Sequence, residues 1–234
     1  MIIDPVLDYR DGEIGTSHID DVIKFIKKKG LQIKYILDTH IHADHLSAAD
    51  YVKSNEGGKT VIGKRIHDVF MHWKTKFGLS KLANFDFLVE QNSHLYFGDH
   101  IVEVIETPGH TPACVAYKIK NHLFVGDTLF APDKGTSRTD FPGGSAESLF
   151  TSIKRLYTLP DHTNVYLCHD YPPLGAPPTS CVRLDWQKKR NVMLRQDTSE
   201  EEYVFARKQR DDALQAPRLL DIAVPFNLTF KLPH

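Results

Sequence analysis

Thr39-His40-Ile41-His42-Ala43-Asp44-His45 decides the reading of this chain. Three histidines and an aspartate fall within six residues, directly after the apolar run Tyr35-Ile36-Leu37. A buried strand delivers the backbone rigidly to that point, and the loop that follows can turn several side chains inward. Three further places downstream repeat the arrangement. His110 lies in Thr107-Pro108-Gly109-His110-Thr111-Pro112, where proline and glycine set a tight turn after the run Ile101–Ile105. Asp127 follows Leu123-Phe124-Val125 and Gly126, and His169 follows Val165–Cys168. Neutral imidazole with carboxylate is the donor set of Zn(II), Fe(II) and related ions. One histidine after a strand is most often a surface residue or a cap. Four strand exits with ligand-type residues, one of them a histidine cluster, outweigh that reading.

Composition bounds the rest. A chain of 234 residues with 41% hydrophobic and 25% charged residues is long enough to bury a core and ordinary for a globular protein. Its formal net charge of -1 provides no field for nucleic acid or an anionic membrane, so neither is expected as a partner. No apolar run reaches membrane-spanning length, and Met1-Ile2-Ile3-Asp4-Pro5 lacks the basic and apolar regions of a secretory signal. Three cysteines, Cys114, Cys168 and Cys181, form no CxxC pair and are odd in number. They read as reduced thiols, which with the other absences leads to an expectation of the cytoplasm. Cys114 and Cys168 are read as core thiols and Cys181 as exposed. Oligomeric state is left open, a homodimer among the options.

Periodicity gives strands mixed with helices in a layered α/β arrangement. Ser17 is expected to cap a helix with Ile19, Val22, Ile23 and Ile26 on its apolar face. A helix is expected over 46–53, immediately after the histidine motif, and others over 66–77, from Ser145, over 183–191 and over 199–215, the last opened by the capping box Ser199-x-x-Glu202. Strands are expected near 60–62, 95–97, 101–105, 115–119, 123–125 and 165–167. The aromatic stretch Trp73–Phe77 is read as packing or an interface. His67, His72, His94, His100, His122 and His162 lack partner spacing and are read as surface residues. The core is expected to occupy 1–176, with 177–234 a helical extension packed on the same domain.

HxHxDH followed at a distance by His, Asp and His, in that order, resembles the metallo-β-lactamase superfamily over essentially the whole chain. The resemblance implies a four-layer αββα sandwich with metal at one edge, between two sheets. It also implies a hairpin ahead of Ile3-Asp4-Pro5 that this sequence does not carry. Two chemistries fit the motif. In thioesterases similar to glyoxalase II, His40, His42 and His110 would bind one Zn(II). Asp44, His45 and His169 would bind a second, Asp127 would bridge, and a hydroxide would attack a thioester or lactone carbonyl. Arg138-Thr139-Asp140-Phe141 and His169-Asp170-Tyr171, with Phe141-Pro142-Gly143-Gly144, Arg190-Asn191 and Ala216-Pro217-Arg218, instead resemble persulfide dioxygenases and their bacterial β-lactamase-like relatives.

That resemblance implies one Fe(II) per chain held by His40, His110 and Asp127, with His42, Asp44, His45 and His169 orienting ligands and water. The substrates would be O₂ and glutathione persulfide or a related small persulfide, and the product sulfite. Arg138 is the candidate for a substrate carboxylate, with a structural pair to Asp140 as the alternative. Tyr171 is the candidate donor near bound sulfur or oxygen, with plain aromatic packing as the alternative. Some glutathione-using members carry Arg where this chain has Met193, leaving Arg190 or Arg195 as substitutes. A third reading, motivated by the missing hairpin, is a non-catalytic remnant or binding protein.

Overall fold

In the computed structural model, which describes residues 1–232, the chain divides into two compact units. The first comprises Met1–Val89 with Gln215–His234, and the second Glu90–Leu214. The segment 177–234 is therefore shared between them.

The first unit contains β1 (Ile2–Ile3), β2 (Val6–Arg10), β3 (Glu13–Gly15), α1 (Ser17–Lys28), β4 (Tyr35–Leu37), β5 (Leu46–Ser47), α2 (Ala49–Glu56), β6 (Lys59–Gly63), α3 (Ile66–Phe77) and β7 (Phe87–Val89). A parallel sheet runs β1-β4-β6-β7, with α2 and α3 as the crossovers between its last three strands. Its central strands are apolar throughout because parallel sheets are covered on both faces, and Ile36, Leu37, Val61 and Ile62 are fully buried. A second sheet, β3-β2-β5, is antiparallel. Its hairpin turns on Asp11-Gly12, both at positive φ (52° and 88°), as a two-residue turn of the type that matches strand twist requires. Helix α1 buries Ile19, Ile23 and Ile26 at helical spacing, as its sequence pattern predicts. Ser17 does not cap it. Thr16 occupies the cap position, and the Ser17 hydroxyl donates to Asp8 instead.

Leu46 and Ser47 correct the expected helix over 46–53. They pair antiparallel with Val6 and Leu7 as β5, and the helix begins only at Ala49. The pairing partner lies some forty residues back, so no local propensity announces it. Late in the chain a further helix, Leu220–Thr229, sends Ala223 and Phe226 into the core formed with Ile19, Ile23, Ile36 and Leu46.

The second unit contains β8 (His94–Phe97), β9 (His100–Glu106), β10 (Val115–Ile119), β11 (His122–Phe124), α4 (Ala146–Leu156), β12 (Asn164–Tyr166), β13 (Cys181–Arg183), α5 (Leu184–Arg190) and α6 (Glu200–Asp212); Leu220–Thr229 is then α7. Its six strands follow the order β13-β12-β11-β10-β9-β8, antiparallel except for β11 and β12. Leu149, Ile153 and Leu156 of α4 pack with Leu123, Val125, Val165 and Tyr203 as its core. Ser199 and Glu202 form the expected capping box. Helix α5 begins at Leu184 rather than at Arg183, which ends β13.

Cys114 is buried, but Cys168 is exposed, correcting its reading as a core thiol. It falls past the end of β12, where the backbone no longer alternates into the core. His67, His72, His94 and His162 are exposed, whereas His100 and His122 are half-buried. Trp73 is buried and stacks on Phe77. Among the described residues no helix is long and apolar enough to cross a membrane.

Candidate metal centre

In the first unit β4 ends at Leu37, and Asp38–His45 form the loop before β5. His40 and His42 are each 1% exposed, so this is buried polar chemistry rather than surface histidine. The rings of His40 and His42 lie 4.1 Å apart, as do those of His42 and His45. His42, Asp44 and His45 each offer a ligand atom within 4.8 Å of the others. His45 Nδ1 is 3.4 Å from Asp44, while its Nε2 is buried with no hydrogen-bond partner among the described residues. An imidazole nitrogen buried in this way is unfavourable unless something else accepts its lone pair or proton, and a cation is the natural candidate.

Two side chains set this loop. Asp4, held at φ 46° between β1 and Pro5, receives Thr39 N (2.7 Å) and His42 Nε2 (3.1 Å) on Oδ1, and Thr39 Oγ1 (2.9 Å) on Oδ2. His42 is thereby left with Nδ1 as its ligand atom. Asn227 of α7 donates to the carbonyls of His42 and His45 (2.9 Å each) and accepts from Ser47 N (2.7 Å). Burial opposes ionisation of Asp4, but the charge and hydrogen bond of His42, with His40 and Thr39, prevail and hold its pKa near about 2. Burial likewise disfavours the charge on His42, yet Asp4 overrides it and raises that pKa to about 9 in the metal-free chain. Burial, reinforced by the charge on Asp4, lifts Asp38 to about 7. His45 moves the other way, lowered by burial and by the charge on His42.

In the second unit three strand exits converge. His110 is 4% exposed and follows Gly109, whose φ of 147° and closeness to Leu149 (2.4 Å to its Cα from any added Cβ) allow only glycine. Ser145 N and Ser152 Oγ bind the carbonyls of Gly109 and Pro108, seating this turn on the start of α4. His110 Nδ1 is 2.8 Å from the Arg138 carbonyl, and its Nε2 faces Asp127 Oδ2 at 3.8 Å. Asp127 sits on a single helical turn, Gly126–Thr128, tied to the His110 turn through Thr128 and Thr107 (3.0 Å). His169 Nε2 reaches Asp127 Oδ1 at 3.3 Å. The His169 ring stacks on Tyr171 (5.7 Å, 9°), whose hydroxyl lies 3.2 Å from His169 Nδ1.

Each predicted ligand-type residue thus falls into one of two groups: His40, His42, Asp44 and His45 in the first unit, and His110, Asp127 and His169 in the second. Arg138 realises its structural alternative. It forms a bidentate pair with Asp140 (2.6 Å for both bonds) and covers the Phe141 ring. Tyr171 is 60% exposed rather than packed in a core. Asn227, Asp211 and Arg207 bond to the loops that carry or adjoin ligand-type residues, contacts that the sequence did not reveal, since none has a motif and each reaches across tens of residues or more. Asp4 was visible only as part of Ile3-Asp4-Pro5.

The model of the metallo-β-lactamase superfamily matches residues 1–169, which span every ligand-type residue named above. Glyoxylase B2 of Dictyostelium discoideum is 42% identical over 97% of this chain and 81% of its own length. The β-lactamase hydrolase-like protein of Agrobacterium fabrum is 41% identical over 97% of this chain, which spans only 54% of that relative. Mouse mitochondrial persulfide dioxygenase ETHE1 is 31% identical, covering 97% of this chain and 78% of the relative. Among solved structures, ETHE1 from Myxococcus xanthus superposes with a TM-score of 0.76 at 29% identity, covering 96% of this chain and 85% of that one.

Proposed function

The chain belongs to the metallo-β-lactamase superfamily, and from that premise we propose that it is an Fe(II)-dependent dioxygenase of small persulfides. His40, His110 and Asp127 would hold the ion as a two-histidine, one-carboxylate face. Bound Fe(II) would supply open coordination positions and one-electron chemistry that Zn(II) lacks. The overall change balances as a persulfide RSSH with O₂ and water giving the thiol RSH and sulfurous acid. The outer sulfur is oxidised and O₂ is reduced.

The observation that carries this reading is the state of Asp127. Its carboxylate faces His110 Nε2 on one oxygen and His169 Nε2 on the other, and His169 in turn meets Tyr171. In the single-ion reading His169 would orient the ligating carboxylate rather than bind a second metal. His110 is fixed through Nδ1 by the Arg138 carbonyl, which leaves Nε2 as its ligand atom. The exposed Tyr171 is the side chain we assign to meet the sulfur of the substrate, with its hydroxyl as a proton donor or acceptor. Arg138 would reach a substrate carboxylate only by exchanging its Asp140 partner. Glutathione persulfide is the first substrate to test, and the cytoplasm the first compartment.

A second reading has its own support. His42, Asp44 and His45 cluster, His45 Nε2 has no hydrogen-bond partner among the described residues, and the 42% identical relative bears a glyoxylase name. These favour a dizinc hydrolase of thioesters or lactones.

Metal analysis of anaerobically purified chain, read beside oxygen uptake, separates the two. The first reading expects about one iron per chain and O₂ consumption with fresh glutathione persulfide. It fails if iron-loaded protein consumes no oxygen. The second expects about two zinc per chain and hydrolysis of S-lactoylglutathione that survives iron removal.

A further inference from the structure

We infer that Asp211, assisted by Arg207 one turn earlier on α6, is a positioning residue for the imidazole of His110. The inference rests on the reading of His110 as a metal ligand, but its geometry lies wholly within the second unit. Asp211 Oδ2 accepts from both Thr139 N and Thr139 Oγ1 at 2.9 Å. Its Oδ1 accepts from Arg207 Nη2 at 2.8 Å, and Arg207 Nη1 donates to the Thr136 carbonyl at 3.0 Å. The loop is therefore gripped on both sides of residue 138. The carbonyl between the grips is the one that takes the proton of His110 Nδ1, at 2.8 Å.

The consequence is tautomeric. An imidazole that donates from Nδ1 presents a lone pair at Nε2, and Nε2 is the atom that faces Asp127. If the Arg138 carbonyl shifted or rotated away, the neutral ring would lose its reason to keep the proton on Nδ1. A ring protonated on Nε2 could not bind an ion from that atom.

A purely structural role for the pair is the competing explanation. Arg207 and Asp211 are 1% and 6% exposed, and a buried ion pair is a poor source of net stability, since apolar residues of similar volume commonly do as well. Attaching α6 to the loop does not need the pair, since the Tyr203 hydroxyl already meets Thr136 Oγ1 at 2.9 Å and its ring packs in the core of the unit. Fixing a carbonyl to within tenths of an ångström needs directional bonds. Here Asp211 and Arg207 direct three of them to the residues at 136 and 139.

The test uses the full chain and the double variant Arg207→Met with Asp211→Leu, which preserves buried volume while removing the bonds that this pair makes to the loop. Urea denaturation reports whether the fold survives. Long-range ¹H–¹⁵N correlation of the metal-free protein at pH 8 reports the tautomer of His110, assigned by its loss in His110→Gln. Wild type is expected to show the Nδ1–H form alone and the double variant a mixture. Competition with a chelator is expected to show metal bound about 10- to 100-fold more weakly. Should the double variant not fold, Thr139→Val removes one bond to Asp211 at constant shape, and a smaller tautomer shift in the same direction is expected. A folded variant that keeps the Nδ1–H form and wild-type metal affinity would overturn the inference, as would an unchanged tautomer in Thr139→Val. Because the tautomer is read without metal or substrate, failure of the dioxygenase reading leaves that measurement intact.

Discussion

Asn227→Ala is the substitution whose effect follows most directly from the structure. The side chain is 2% exposed and makes three hydrogen bonds, two to the carbonyls of His42 and His45 and one from Ser47 N. All three partners are main-chain groups of the histidine loop or the strand after it. Truncation leaves two carbonyls and one N–H without their partner in a site too enclosed for water to replace it freely. At about 1 kcal/mol net for each bond, the metal-free chain should lose about 3 kcal/mol. That lies at the upper end of what single substitutions do. With a urea slope of about 2–3 kcal/mol/M, the unfolding midpoint should fall by about 1 M. Asn227→Asp sharpens the test. It keeps the shape and the acceptor for Ser47 N, but turns two donors into a carboxylate oxygen facing two carbonyls, so it should destabilise at least as much. An Asn227→Ala midpoint within about 0.5 kcal/mol of wild type would refute the claim that this side chain fixes the ligand loop.

Three other outcomes are expected. Asp4 and His42 stabilise the metal-free fold as an ion pair. Because His42 is raised from 6.5 to about 9, that contribution is complete below pH 6.5 and disappears as pH rises through 9. Because Asp4 is lowered from 3.8 to about 2, it also disappears as pH falls from 3.8 through 2. Urea midpoints with chelator present should therefore show the gap between wild type and Asp4→Asn closing at high pH, and a constant gap would contradict the assignment. Gly109→Ala should destabilise by about 3 kcal/mol or more, since its Cβ would meet Leu149 backbone at 2.4 Å on a left-handed φ; thermal unfolding near the wild-type midpoint would show that the turn is less constrained than described. Tyr171→Phe should leave the unfolding midpoint unchanged, the side chain being exposed, while lowering oxygen uptake with persulfide by about tenfold or more. Wild-type turnover would remove Tyr171 from the proposed chemistry.

The ligand groups were legible in the sequence because they are local: each begins three or four residues beyond a strand, and HxHxDH compresses three imidazoles into one loop. Strands β9 to β11 were legible for the same reason, as apolar runs between turn residues. What could not be read depends on distance along the chain. Leu46-Ser47 continues the apolar pattern of a helix and becomes a strand only because Val6-Leu7 is there to pair with it. Asn227 sits in a mostly apolar helix, 182 to 185 residues from the loop carbonyls it holds, and looks like a tolerated polar residue until its partners are known. The Arg138–Asp140 pair illustrates a different limit. Spacing of two residues suits an ion pair and a substrate clamp equally, and only the bidentate geometry decides which of the two is formed.

The positioning residues Arg207, Asp211 and Asn227 all lie beyond residue 169, where the superfamily match ends. The ligands lie within the matched segment, and helices beyond it add to the bonds by which Asp4 holds the histidine loop. If His40 and His110 serve one ion, as proposed, the two clamps should be energetically separate without metal and joined with it. A double-mutant cycle on Asn227→Ala and Asp211→Asn tests this. In the metal-free chain the two losses of unfolding free energy should add to within about 0.5 kcal/mol, because Asn227 and Asp211 share no hydrogen-bond partner among the described residues. Losses in metal affinity should not add. Once either loop is released, the ion is held by a loosened donor set, and releasing the second removes less than it would from the intact site. Strict additivity in metal binding would mean that the clamps act on separate ions or on none.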